Sequence, residues 1–200
     1  MAATAITNGH AGAHAAPHDD SRYRLKANRL GLWLFIASES FLFAAFISSR
    51  YITDLTHRPE DLNQSLALFL TIVLLVSSIS AYLGETAIAH GRRGASVAWL
   101  TLTVVLGLSF MIGVGFEFAE AVDKFPVNTV FGSNFFMLIG LHSFHVLTGA
   151  AALAIAANLV RKGHFDENSH WGVEACVKYW HFVDLAWVVI YPTLYLVGRH

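Results

Sequence analysis

Two apolar stretches near the C-terminal end of this chain carry ionisable side chains that could bind a metal or move a proton. The first reads LHSFHVLTG and contains His142 and His145, and the second reads YWHFVDLAW and contains His181 and Asp184. A charged group near the centre of a membrane helix costs roughly 2.5 to 3.5 kcal/mol even on the lenient insertion scale, so such groups are normally paired or functional. These four residues are therefore the first candidates for a functional site.

Three further acids lie inside apolar segments. Glu39 stands near the middle of the first segment, and Glu117 and Glu120 lie three residues apart near the end of another. With a rise of about 1.5 Å per helical residue, His145 reaches nearly the same depth as Glu39. This match in depth allows a contact between Glu39 and His145 across two helices, with His142 on the same face as His145.

Several kinds of chemistry fit these side chains. Neutral imidazole is a common ligand of haem and copper, but a haem with two His ligands needs them on opposing helices and a copper site usually needs a third ligand. Chains of carboxylates and His relay protons through membranes, but one carboxylate at mid-depth does not make a relay. The remaining interpretation is that hydrogen bonds among Glu39, the His residues and Asp184 determine helix packing.

Composition identifies the class of protein. Of the 200 residues, 55% are hydrophobic and only 14% are charged, whereas charged residues make up about a quarter of a soluble domain. The chain is therefore predicted to be a polytopic, all-α membrane protein. Its net charge of −1 gives no indication of nucleic-acid binding. The single Cys176 excludes an internal disulfide and a Cys-based metal site.

The chain divides into a tail and a membrane domain. Residues 1–28, polar and then basic, are predicted to be a disordered cytoplasmic tail. Residues 29–200 are predicted to form a bundle of five transmembrane helices, because five segments meet the requirement of about 20 apolar residues per span. The predicted spans are residues 30–51, 65–89, 96–121, 134–160 and 178–197.

The distribution of basic residues predicts the orientation of this bundle. With the N-terminus in the cytoplasm, nine of the 13 Lys and Arg residues fall on the cytoplasmic side. A cluster of four precedes the first span, which carries most weight under the positive-inside rule. The sequence therefore predicts a cytoplasmic N-terminus and an external C-terminus.

Five segments, in order, resemble subunit III of the haem-copper terminal oxidases, and the resemblance covers nearly everything from Leu30 onward. The first contains Glu39 in GLWLFIASESF, which is similar to the family's helix with a buried Glu. The most specific is GLHSFHVLTG, with its two His residues. The others are NQSLALFL with Ser77 and Ser78, the run from Thr103 to Glu120, and WHFVDLAW in the last span.

The resemblance implies a subunit without redox centres of its own. In this family the reduction of O2 to water, coupled to proton pumping, takes place at haem and copper in subunit I. Subunit III sustains proton uptake, slows inactivation and holds phospholipid in a cleft that aids O2 access. The expected partners are subunits I and II, with a small subunit IV as a further candidate, in a bacterial plasma membrane. Five residues are then expected in hydrogen-bonding roles, with no metal and no catalytic group in this chain: Glu39, His142, His145, His181 and Asp184. Glu117 and Glu120 are further candidates on the outer side.

Five spans make this the short form of a family whose larger members have seven. Such forms occur in bacterial cytochrome c oxidases and quinol oxidases, and a related one accompanies nitric oxide reductases. Glu39, where some quinol-oxidase relatives carry Asp, favours the cytochrome c type. The alternative from another class is a stand-alone transporter or di-haem carrier, although the five unlike spans show no inverted repeat of the kind common in transporters.

Overall fold

The computed structural model describes residues 17–53, 64–124, 126–167 and 169–197, and within them the chain is all α-helical, as predicted. The side chains of residues 17–21, 53 and 123 are not described. Five α-helices follow one another, and the last runs into a π-helical turn. Their bounds are α1 Pro17–Thr53, α2 Gln64–Ala89, α3 Arg93–Lys124, α4 Val130–Arg161, α5 Trp171–Tyr191 and the turn Pro192–Leu196.

Four of these helices are long and apolar enough to cross a membrane, over Arg22–Ile52, Gln64–Ala89, Arg93–Val122 and Val130–Arg161. The fifth predicted span corresponds to α5, which is more polar because it carries Glu174, Lys178 and Asp184 within 21 residues. α5 nevertheless packs lengthwise between α2 and α4. The architecture is therefore a helical membrane bundle.

α1 begins earlier than the predicted end of the tail. Residues 17–28, assigned to a disordered tail by composition, form the first turns of α1. Pro17 occupies its first position, where a fixed φ near −65° suits a helix and the missing N–H costs nothing. Good helix formers such as Leu25, Lys26 and Ala27 follow, so the helix already begins before the apolar segment. Residues 1–16 lie outside the described part of the chain.

Local sequence explains where the other helices begin and end. The Thr129 hydroxyl caps α4 by accepting a hydrogen bond from the Gly132 N–H at 3.0 Å. Gly91 and Gly163, which follow α2 and α4, have φ of +72° and +80°, a conformation that glycine adopts without steric cost. Pro192 lacks an N–H and ends α5, and the Val197 N–H donates to the Pro192 carbonyl in a π-type turn.

Helices α2, α3, α4 and α5 form a closed ring in which each contacts two neighbours, in the order α2, α3, α4, α5 and back to α2. α1 lies outside this ring, against α4 and α5. Among the described residues of α1, only Ile36, Phe43 and Arg50 are buried. The ring therefore holds the core, and most of α1 faces the surroundings.

Trp180 on α5 connects all four helices of the ring. Its indole is fully buried and fills the space left by two glycines. A Cβ at Gly107 on α3 would lie 2.5 Å from the ring, and one at Gly149 on α4 would lie 3.0 Å from it. The indole N–H donates to the Ser77 hydroxyl on α2 at 3.1 Å. Small residues thus let these helices approach closely, as in other membrane interfaces.

Thr71, Ser77 and Ser80 form a row of hydroxyl side chains on the buried face of α2, and this row repeats the kind of contact that Trp180 makes. The Trp187 indole N–H donates to Thr71 Oγ1 at 2.9 Å, one level away from the bond between Trp180 and Ser77. On the α3 side, Ser80 and Thr103 share a hydrogen bond of 2.7 Å. Lipid offers no hydrophobic drive for helices to associate, so close packing and such hydrogen bonds carry the association.

The fit of Trp180 against Gly107 predicts a large effect from a single methyl group. Gly107→Ala should destabilise the bundle by about 1 to 3 kcal/mol, the usual cost of overpacking a core, and lower the thermal unfolding midpoint in mild detergent. Gly115→Ala on the same helix is the control, because no atom lies within 4 Å of its Cβ position. An equal midpoint for the two variants would contradict this packing argument.

Candidate functional site

Glu39 on α1 and His145 on α4 form a hydrogen-bonded pair across two helices. His145 Nε2 lies 3.0 Å from Glu39 Oε2, and His145 Nδ1 lies 2.7 Å from the Leu141 carbonyl oxygen. A carbonyl can only accept, so Nδ1 must carry a proton and donate it. Nε2 then either accepts from a protonated Glu39 or donates to its carboxylate. In both arrangements the pair has no net charge, which suits its depth in the membrane.

The pair lies in the wall of a groove between α1, α4 and α5 with a volume of about 490 Å³. A second polar contact lies one turn further along α4, where the Thr148 hydroxyl and the Tyr179 hydroxyl are 3.1 Å apart. The remaining lining is apolar: Leu32, Phe35, Leu42, Leu141 and Phe144. The groove is therefore a mainly apolar channel open to the surroundings, with two polar contacts in its lining.

His142 faces the core rather than this groove. Its ring is fully buried and lies 4.9 Å from the Trp187 ring and 5.7 Å from the Phe110 ring, centroid to centroid. The Phe43 ring of α1 reaches it from a third side at 6.4 Å. Among the described residues, neither ring nitrogen has a protein hydrogen-bond partner. His142 thus contributes to an aromatic core cluster.

His181 and Asp184 belong to the contact between α5 and α2. His181 Nδ1 lies 2.6 Å from the Ser78 hydroxyl. Asp184 is buried one turn further along α5, and neither of its carboxylate oxygens has a hydrogen-bond partner among the described residues. Ser78 therefore joins His181 to α2, where the hydroxyl row already holds Trp180 and Trp187.

The two acids of α3 have different surroundings. Glu117 is buried and accepts a hydrogen bond from the Tyr195 hydroxyl in the π-helical turn. Glu120, one turn on, is exposed and forms an ion pair of 2.7 Å with Lys124. Glu117 therefore connects α3 to the end of α5, whereas Glu120 remains on the surface.

A cluster at the opposite end of the bundle ties α1 to α5. The Arg29 guanidinium lies 3.6 Å from Glu174 and 5.4 Å from the centroid of the Trp171 ring. Lys178 pairs with Glu174 and lies over the same Trp171 ring. Cations over an aromatic face are attracted by its quadrupole. These contacts hold α1 at its 13th residue, and Glu39 holds it ten residues further on.

The five predicted site residues lie in separate contacts of one connected region. Glu39 and His145 meet directly, His142 and Asp184 pack in the core, and His181 bonds to α2. Phe43 touches both His rings, at 6.4 Å from His142 and 5.0 Å from His145, so these contacts are continuous. Within the described residues, no three His, Cys, Asp or Glu side chains are grouped so that they could hold a metal ion.

Residue reasoning missed the hydroxyl side chains that join the helices around these groups. Hydroxyls are common in membrane helices and carry little signal one at a time. A usable signal was their spacing, because the hydroxyl row recurs on one buried face of a single helix. The missed residues are Thr71, Ser77, Ser78, Ser80, Thr103, Thr148, Tyr179 and Tyr195.

The pair of Glu39 and His145 predicts different outcomes for two substitutions. Glu39→Gln keeps a neutral side chain that can donate to His145 Nε2, so thermal stability in detergent should stay close to that of the unmodified chain. Glu39→Leu leaves that nitrogen without its partner and should cost about 1 to 3 kcal/mol. A midpoint for Glu39→Leu equal to that for Glu39→Gln would show that the hydrogen bond does not hold α1.

Comparison with known proteins identifies the family. The family model for cytochrome c oxidase subunit III matches residues 11–199. The cytochrome c oxidase subunit 3 of Coturnix japonica is 35% identical over 185 residues, which cover 86% of this chain and 70% of that protein. The corresponding proteins of Gallus gallus and Salmo salar are 34% and 36% identical over the same shares. With its helical membrane bundle and a match over nearly its whole length, this chain belongs to the cytochrome c oxidase subunit III family.

Proposed function

We propose that this chain is subunit III of a bacterial respiratory haem-copper oxidase that oxidises cytochrome c and reduces O2 to water. The observation that carries the proposal is the family match, which runs through all five helices. The oxidase is a multi-subunit enzyme, and the chemistry and proton pumping would take place in subunit I. Subunits I and II are the proposed partners, with a small subunit IV as a further member.

The environment of the His residues supports a role without a redox cofactor in this chain. Both ring nitrogens of His145 are occupied by hydrogen bonds, and His181 is bonded to Ser78. His142 is enclosed by aromatic rings that leave no opposing ligand beside it among the described residues. Haem and copper would therefore be held by the partner subunits.

The groove beside Glu39 supports a role in access to the membrane interior. Its walls are apolar and it opens toward the surroundings, so it could hold an acyl chain or admit O2. Most of the apolar surface of α1 is exposed, including Trp33, Leu34 and Phe41. A helix exposed in this way fits lipid or a neighbouring subunit. We propose that the groove holds lipid and supports O2 access and proton uptake by subunit I.

The proposed location is the bacterial plasma membrane, with the N-terminus in the cytoplasm. The basic residues near the start of α1, such as Arg22, Arg24 and Arg29, support this orientation. Arg92, Arg93, Arg161 and Lys162 lie at the ends of helices on the same side, because α1 to α4 alternate in direction.

Isolation through an affinity tag on the N-terminus tests the family role. The tagged chain, extracted in mild detergent, should bring a polytopic haem-containing partner and its visible absorbance. Variants His142→Phe and His181→Asn should leave the ratio of haem to partner subunit unchanged, because neither side chain is proposed as a ligand. In sealed spheroplasts, added protease should not remove the tag if the N-terminus is cytoplasmic.

Other results of this isolation would contradict the proposed function or change the proposed substrate. Haem on the chain without a partner would favour a di-haem carrier, and a colourless chain without a partner would contradict the proposal. A haem-containing partner that oxidises quinol, or that reduces nitric oxide, would retain the family and change the substrate. Activity of the purified complex with reduced cytochrome c distinguishes these cases.

Removal of the chain from the complex tests its supporting role. A complex depleted of this chain should keep its initial rate of O2 reduction but inactivate after fewer turnovers, because proton uptake by subunit I would be slower. The measurement is the decay of O2 consumption under continuous turnover. Reconstitution with the purified chain is the control and should restore the lifetime. Equal decay with and without the chain would contradict this role.

A further inference from the structure

A second groove lies between α3 and α4 and shares no lining residue with the groove beside Glu39. Its volume is about 320 Å³. One part is apolar, and the part at the helix ends is polar. Its lining includes Thr101 and Val104 on α3 and Ala154, Ala157, Asn158 and Arg161 on α4.

The polar end of this groove is built around Arg161. Its Nη2 donates to the Asn158 Oδ1 at 2.8 Å, which holds the guanidinium along its own helix. A guanidinium has five N–H donors in a planar fork that matches the oxygens of a phosphate. Asn158, one turn inward, also lines the groove, and its side-chain amide nitrogen carries two further N–H donors. The polar end of the groove therefore offers several donors for an anion.

The charges around this end favour a negative ligand. Arg92 and Lys162 are exposed beside it. Arg93 lies next to Gly163, but it also lines a neighbouring cavity with Asp166 and Glu167, so part of its charge is balanced there. The acids line that cavity and not the groove. Arg161 is thus the basic group that faces the groove itself.

The dimensions suit a lipid with its headgroup at the membrane surface. From Arg161 to Ala154 is seven residues of α4, or about 10 Å. Arg161 is the last residue of α4, whereas Ala154 and Val104 lie two or three turns inside their helices. The polar end therefore reaches the headgroup level while the apolar end extends into the hydrocarbon. Basic pockets between helices on the cytoplasmic side bind anionic lipid headgroups elsewhere.

We propose that the groove between α3 and α4 is a binding site for an anionic phospholipid. The lipid phosphate binds Arg161, with Asn158 beside it, and one acyl chain lies along Val104 and Ala154. This inference rests on the groove and its charges and is independent of the role proposed for the chain in an oxidase. Its failure would leave that role unchanged, because the isolation experiment does not depend on this lipid.

Photo-crosslinking in native membranes tests the site. Phosphatidylglycerol with a photoactivatable group in one acyl chain is added to membranes containing the tagged chain, which is then purified with its partners and mapped by peptide mass spectrometry. Label is expected on residues 97–104 and 154–157. Unlabelled phosphatidylglycerol should compete for it, and phosphatidylcholine at equal amounts should not. Equal competition by both lipids would overturn the proposal, because it would indicate non-selective contact with bulk lipid.

Arg161→Gln should reduce this labelling about fivefold, the loss expected for one basic group at an anionic headgroup. Lys26→Gln is the matched control, because it removes the same charge from an exposed position on α1, which does not line the groove, and its labelling should stay unchanged. Equal labelling of both variants would overturn the proposal.

A second pair of variants tests the apolar end if Arg161→Gln fails to fold. Ala154→Leu narrows the groove without changing charge and should abolish labelling of residues 97–104. Ala151→Leu adds the same volume at an exposed position that does not line the groove, and its labelling should equal that of the unmodified chain. Undiminished labelling of Ala154→Leu would show that the acyl chain does not occupy this groove.

Discussion

The bundle depends on the placement of one side chain, Trp180. Its indole occupies the junction of four helices, between Gly107 and Gly149, and its N–H is satisfied by Ser77. A membrane interior provides no water for an unpaired indole and no hydrophobic drive toward burial. Contact and hydrogen bonding must therefore hold these helices, and Trp180 supplies both. The hydroxyl row of α2 extends the same arrangement along the bundle.

α1 contrasts with this ring because few of its side chains are buried. It is tied by Arg29 to Glu174 and, ten residues further along, by Glu39 to His145. Of the apolar side chains between these two contacts, only Ile36 is buried. The groove beside Glu39 exists because α1 rests on α4 and α5 without merging into the core. The sparse burial of α1 and the open groove beside it thus have one cause.

Individual residues show how far sequence reasoning reached. Counting residues along apolar helices gave similar depths for Glu39 and His145, and the structure places them 3.0 Å apart. The same counting could not separate Glu117 from Glu120, one buried against Tyr195 and the other exposed beside Lys124. Depth follows from position along a helix, whereas burial depends on rotation about the helix axis and on neighbouring helices.

The sequence by itself determined that this is an all-helical membrane protein, where its apolar segments lie, and which family its motifs belong to. These properties follow from local composition and from residue order, because each span must satisfy its own backbone hydrogen bonds. Only the tertiary structure decided that His181 meets Ser78 and Glu117 meets Tyr195, that His142 faces the core while His145 faces a groove, and that Arg161 lines the polar end of a second groove. Those facts depend on contacts between residues far apart in the chain, which the spacing of residues within one helix does not specify.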